Sequence, residues 1–84
     1  MYWDVIDVEA IAALTLLVKF KGGTSGTVIF KPESLYGVFE PLKDPNFFKK
    51  VFIDGDAVAW PCDVDVAPDA MYQEIKKHGK WVIE

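Results

Sequence analysis

Leu14-Thr15-Leu16-Leu17-Val18-Lys19-Phe20-Lys21-Gly22-Gly23 is the stretch on which the fold turns. Leu14, Leu16, Val18 and Phe20 alternate with Thr15, Leu17, Lys19 and Lys21, which is the period of a strand with one face in a core. Gly22-Gly23 can supply the positive backbone angles of a tight hairpin turn, and Thr24 to Phe30 then returns as a second β-rich run. Upstream, Tyr2 to Val8 mixes Trp, Val and Ile with Asp4 and Asp7, so an antiparallel meander of three strands is predicted. The competing reading is a helix over Glu9–Leu17, where Ala10, Ala12, Ala13 and the leucines are good helix formers.

Past Phe30 the signals become those of turns and short helices. Pro32 suits a first helical position and Gly37 its exit, giving a short helical turn. Asp44-Pro45 predicts a second helical piece, with the aspartate as cap and Phe47 and Phe48 on its buried side. Asp54-Gly55 predicts a hairpin joining two short strands within Val51 to Trp60, which Pro61 stops. A polar stretch follows. Pro68 to His78 is the clearest helix: Met71, Tyr72 and Ile75 share a face, Asp69 lies near the positive end, and Lys76, Lys77 and His78 precede Gly79. Lys80 to Glu84 reads as a short strand or a loose tail. The whole is an α+β fold over residues 1–84, a single small domain: a small antiparallel sheet with two short helical segments and a C-terminal helix. Phe39, Leu42, Phe47, Phe48 and Trp60 are expected to close its core, because they flank the turns that bring the two halves together.

Composition narrows function. The chain is 51% hydrophobic and 14% aromatic, enough apolar surface to fold rather than stay disordered. Net charge is −4 and every basic residue is a lysine, so no arginine fork is present for phosphate or guanine; no direct nucleic-acid ligand is expected. Lys19, Lys21 and Lys31 break the apolar run from Ile11 to Phe30, and no basic segment with a cleavage site opens the chain, so neither a signal peptide nor a membrane span is expected. One cysteine cannot form an intramolecular disulfide, which fits a reducing, cytoplasmic setting.

Catalytic chemistry finds little to stand on. His78 is the sole histidine, which excludes multi-histidine metal sites built from this chain alone; its simplest reading is a helix-end cation or polar surface group. Cys62 has no companion base nearby in sequence and reads as a half-buried structural thiol. Gly22, Gly23 and Gly26 lack the lysine and hydroxyl residue of a phosphate loop, and hairpin geometry accounts for them. Asp54, Asp56, Asp63, Asp65 and Asp69 form the one acidic cluster. Calcium needs about six to eight oxygen ligands in a defined loop, and that pattern is missing, so no metal, cofactor or catalytic residue is assigned.

Three stretches carry a more specific signal: Met1-Tyr2-Trp3-Asp4-Val5; Val38-Phe39-Glu40-Pro41-Leu42 with Asp44-Pro45-Asn46-Phe47-Phe48; and Val58-Ala59-Trp60-Pro61 leading to Asp65, Pro68, Asp69 and Tyr72. In this order they resemble the small bacterial family called domain of unknown function 2442, from the opening strand to the helix after Pro68. The resemblance implies a compact α+β domain, found alone or followed by a helix-turn-helix domain, and neighbours that are small toxin-like proteins. This chain is expected to lack the DNA-reading domain. It departs from the family where Trp-Pro-Asn-Gly is usual: here Trp60-Pro61 is followed by Cys62-Asp63, and Asp63 visits positive φ less freely than glycine.

The reading is therefore an uncharacterised, non-enzymatic protein-interaction domain, the acidic antitoxin-like partner of a small, basic, toxin-like protein. A homo-oligomeric structural domain, with a homodimer as its simplest form, and a metal-dependent carboxylate enzyme are the alternatives. The expected partner-binding residues are Asp54, Asp56, Asp63 and Asp65, with Tyr36 or Trp81 as the apolar anchor.

Overall fold

A computed structural model describes residues 3–62 and 64–84. In chain order the elements are β1 (Val5–Ala12), β2 (Thr15–Phe20), β3 (Ser25–Phe30), 3₁₀ turns at Pro32–Ser34 and Gly37–Lys43, α1 (Pro45–Phe48), β4 (Phe52–Asp54), β5 (Ala57–Trp60), β6 (Val64–Val66), α2 (Pro68–His78) and β7 (Lys80–Ile83). They form a small α+β fold with two sheets, β1-β2-β3-β7 and β4-β5-β6.

The meander forms as its alternation predicts: β1, β2 and β3 pair antiparallel, and Leu16, Val18 and Phe20 are buried on the same face as Val28 and Phe30. Gly23, at φ 94°, makes the β2–β3 turn. The opening strand begins at Val5 and runs to Ala12, later and longer than the expected Tyr2–Val8; Tyr2 lies outside the described residues. No helix forms over Glu9–Leu17. Glu9 and Ala10 pair instead with Leu17 and Leu16 across a turn at Ala13-Leu14, which takes Leu16 into the core and overrides the helical propensity of the alanines. Leu14 leaves the expected strand for the left-handed region, φ 51°, where its carbonyl accepts the Phe30 N–H at 2.9 Å.

The expected α+β class holds, and four of its details are corrected. The sheet is not one antiparallel layer: β7 is a strand, parallel to β3, and a second sheet packs under the first. The polar stretch after Pro61 contains β6, whose Val64 and Val66 are buried opposite Trp60 and Val58. Gly26 is not a turn residue. It pairs with Val18 inside β3, and a Cβ there would stand 2.6 Å from the Gly79 carbonyl oxygen and from Ile75 Cγ2, so the absent side chain lets the end of α2 approach the sheet. Gly37, at φ 61°, opens the second 3₁₀ turn instead of closing the first.

The helices follow their local signals. Asp44 accepts the Asn46 N–H at 3.0 Å and Pro45 occupies the first turn of α1. α2 has the boundaries read from sequence, Pro68 to His78, and Gly79 closes it at φ 76° with its N–H on the Ile75 carbonyl at 2.7 Å. Met71 and Ile75 are buried and Tyr72 sets its ring edge-on to Phe20. Of the expected closing residues, Leu42, Phe48 and Trp60 are buried, while Phe39 and Phe47 are half-buried against them. Phe30 joins the layers: its ring meets both Phe48 and Trp60 at 5.9 Å, edge to face. No helix among the described residues is long and apolar enough to cross a membrane.

Candidate functional site

The three-residue register of β4-β5-β6 decides which of its side chains reach solvent. Ile53, Val58 and Val66 form one row and turn inward, with Val58 and Val66 buried. The adjoining row, Phe52, Ala59 and Asp65, therefore turns outward, and Asp54 opposite Ala57 continues it two residues along. Ala59 is small and buried between its neighbours, which leaves Phe52 and Asp65 standing about 10 Å apart on either side of it. Phe52 is 43% exposed. Phe52, Asp54 and Asp65 share the rim of a hollow of about 150 Å³ with Ala59, Trp60 and Val64. Neither the Asp54 nor the Asp65 carboxylate has a hydrogen-bond or ion-pair partner among the described residues.

Asp56 lies in the β4–β5 turn beside Gly55, φ 66°, and its carbonyl accepts the Val5 N–H at 3.4 Å, pinning this hairpin to β1. The turn thus places a third exposed carboxylate at the end of the same sheet. Asp63 lies outside the described residues. Tyr36 is exposed in the link between the two 3₁₀ turns. Trp81 is half-buried on β7 and lines a separate apolar cleft of about 240 Å³ with Phe30, Leu35, Phe39 and Ile83, whose far wall includes Asp65 and Val66. The structure therefore brings Asp54 and Asp65 to one face and Trp81 to the neighbouring cleft. Phe52, the apolar group actually beside the two aspartates, went unassigned in the sequence. A signal was present: in a strand Phe52-Ile53-Asp54, whatever turns Asp54 outward turns Phe52 outward too.

Other candidate groups do not converge. His78 is exposed, its Nε2 3.9 Å from Glu74 Oε2 on the same helix. Cys62 is half-buried against the core. Among the described residues no three His, Cys, Asp or Glu side chains are close enough together to hold a metal ion. Lys43 and Lys49 border a third hollow, of about 630 Å³, floored by Ala10, Leu14, Pro45 and Phe48, so positive and negative rims occupy different parts of the surface.

Residues 5–77 match the family described as a protein of unknown function, DUF2442, a span from the first residue of β1 into the last turn of α2. The chain belongs to the DUF2442 family. The DUF2442 span contains all of β4, β5 and β6, so the acidic face is built within the family domain, while β7 lies beyond the matched residues. The opening residues Met1–Asp4, part of the resemblance in sequence, also lie outside it. Comparison with curated proteins and with solved structures returned no match.

Proposed function

We propose that this DUF2442 domain is a non-enzymatic protein-interaction module whose outer β4-β5-β6 face receives a basic protein segment, in the manner of an antitoxin-like partner acting in the cytoplasm. One observation carries the reading: Phe52 stands 43% exposed on the same face as the carboxylates of Asp54, two residues along its strand, and Asp65, across Ala59. An exposed aromatic ring is the kind of group that anchors an interface once water is excluded around it. Carboxylates at its rim add the long-range attraction that speeds encounter with a positive partner and disfavours a negative one. The net charge of −4 acts in the same direction. The small toxin-like neighbours implied by the family resemblance supply the candidate partner.

Association with the small protein encoded beside this one, measured at several salt concentrations, tests the proposal. D54N/D65N is expected to slow association at low salt and to lose most of that difference at high salt. F52A is expected to speed dissociation with the association rate little changed. If both variants, folded by circular dichroism, bind as the wild type does, this face is not the binding surface. If the folded wild type binds no such neighbour, the toxin-like partner is excluded.

A further inference from the structure

We infer that the outer face of the four-stranded sheet is a two-fold interface between two copies of this chain, with Glu9 of each copy opposite Lys80 of the other. Met71 and Ile75 of α2 share the core with Leu16, Val18 and Val28, so helix and second sheet both lie on the inner side of β1-β2-β3-β7. Registers fix what the outer side carries. Glu9, Leu17, Thr27 and Lys80 are neighbours in one row across all four strands, and Ala12, Thr15, Ile29 and Val82 form the next. Leu17, Ile29 and Val82 make an aliphatic centre that none of the described elements covers.

Charge selects the occupant. Glu9 and Lys80 are exposed at opposite edges of one row, three strand spacings or about 14 Å apart, too far to pair within a chain. Neither has an ion-pair partner among the described residues. Two copies can meet face to face about a two-fold axis lying in the interface, along the strands or across them. An axis across the strands at this row sets Glu9 on Glu9 and Lys80 on Lys80. An axis along the strands, between β2 and β3, reverses the order of strands in the second copy: Glu9 then faces Lys80, Leu17 faces Thr27, Thr15 faces Ile29 and Ala12 faces Val82. The same reversal puts Lys19 over Ser25 and carries Asp7 past the start of β7, so no like charges meet within the paired rows. One axis therefore satisfies both charges twice, and the surface is complementary to itself.

The area sets the strength. Four strands about 4.8 Å apart and about six residues long give a footprint on the order of 400 Å² per copy, or about 800 Å² in total, below the standard range and in that of weak, transient interfaces. The dimer is accordingly a reversible one whose population rises with concentration. This face is on the opposite side of the fold from Val58 and Val66 packing and is separate from the Phe52 surface, so either proposal can fail without the other.

Sedimentation equilibrium of the wild type, E9K, K80E and E9K/K80E provides the test. Each single reversal turns two attractive pairs into two repulsive ones and is expected to weaken dimerisation about tenfold, with the double variant back within about threefold of wild type. A nonspecific effect of net charge would act otherwise, since E9K brings −4 closer to zero and K80E moves it away, changing association in opposite directions. In the wild type alone, mixed-label samples should give an intermolecular nuclear Overhauser effect between the Thr15 and Ile29 methyl groups. A wild type that stays monomeric to millimolar concentration, a dimer without that contact, or single variants that dimerise as the wild type does would each overturn the inference.

Discussion

The indole N–H of Trp60 donates to the carbonyl of Phe48 at 2.9 Å, a buried bond that ties the end of β5 to the last residue of α1. The two rings also touch, with centroids 5.7 Å apart, and both meet Phe30 from the other sheet. This trio holds the layers together, because each member comes from a different part of the chain. W60F keeps most of the apolar volume and removes the donor, leaving the Phe48 carbonyl only the longer bond from the Val51 N–H at 3.4 Å; a loss of about 1 kcal/mol is expected. F48A removes a ring that is 2% exposed and should cost about 3–5 kcal/mol. Urea melts measure both, and a loss below about 1 kcal/mol for F48A would contradict the packing described.

Gly26→Ala tests the close approach of α2 to the sheet. The new methyl would meet a backbone oxygen at Gly79 as well as the Ile75 side chain, so rotamer change alone cannot relieve it. Overpacking of this kind costs about 1–3 kcal/mol. Its signature is spatial: amide shifts should move at Ile75 and Gly79, far along the chain from the mutation. Gly23→Ala, where the space is open and only the φ of 94° opposes a side chain, should perturb the β2–β3 turn alone. Shift changes confined to β2 and β3 in G26A would refute the contact.

Cys62 is expected to react slowly. It is half-buried and packs against the core, so a thiol reagent must wait for local opening. Labelling of the folded protein should be slower than labelling of the urea-unfolded chain under otherwise matched conditions. Acceleration on folding would instead mark a reactive thiol.

Lys31 and Glu84 close the far end of β7, with Nζ 2.6 Å from Oε1 and the Lys31 N–H on the Ile83 carbonyl at 3.0 Å. Hydrogen bonding to Lys31, then its charge, lowers the Glu84 pKa; the same bond, then the negative charge of Glu84, raises that of Lys31. Glu84 therefore contributes above the ordinary carboxylate range and loses its contribution as pH falls through its depressed value. Lys31 contributes below the ordinary lysine range and loses it as pH rises through its elevated value. The pair is formed across the whole neutral region and screened by salt, as exposed pairs are. An NMR titration should show the Glu84 side chain protonating at lower pH than a glutamate in an unfolded peptide, and K31M should return it toward that reference.

Some of this was already legible in the residues. The α2 boundaries, the Asp44 cap, the Asp54-Gly55 hairpin and the inward face of β2 rest on signals confined to a few neighbouring positions: a proline at a first turn, a glycine at positive φ, an alternation of apolar and polar side chains. Val64-Asp65-Val66 is too short an alternation to distinguish a strand from a polar loop, and only the waiting edge of β5 makes it a strand. Alternation within β4 sets Phe52 on the face of Asp54, whereas its place across from Asp65 depends on the β4-β5-β6 register.

By itself the sequence determined the local pieces and ruled out a multi-histidine metal site or an arginine fork within the chain, because helix caps, tight turns and residue inventory require no distant partner. Tertiary structure alone decided that Lys80–Ile83 lies parallel to β3, that Gly26 is a contact point instead of a turn, and that Phe52 shares a face with Asp65. Each of these is a pairing between segments far apart in the chain. Such pairings are chosen by which arrangement buries the most apolar surface while satisfying the backbone, and no window of neighbouring residues contains that choice.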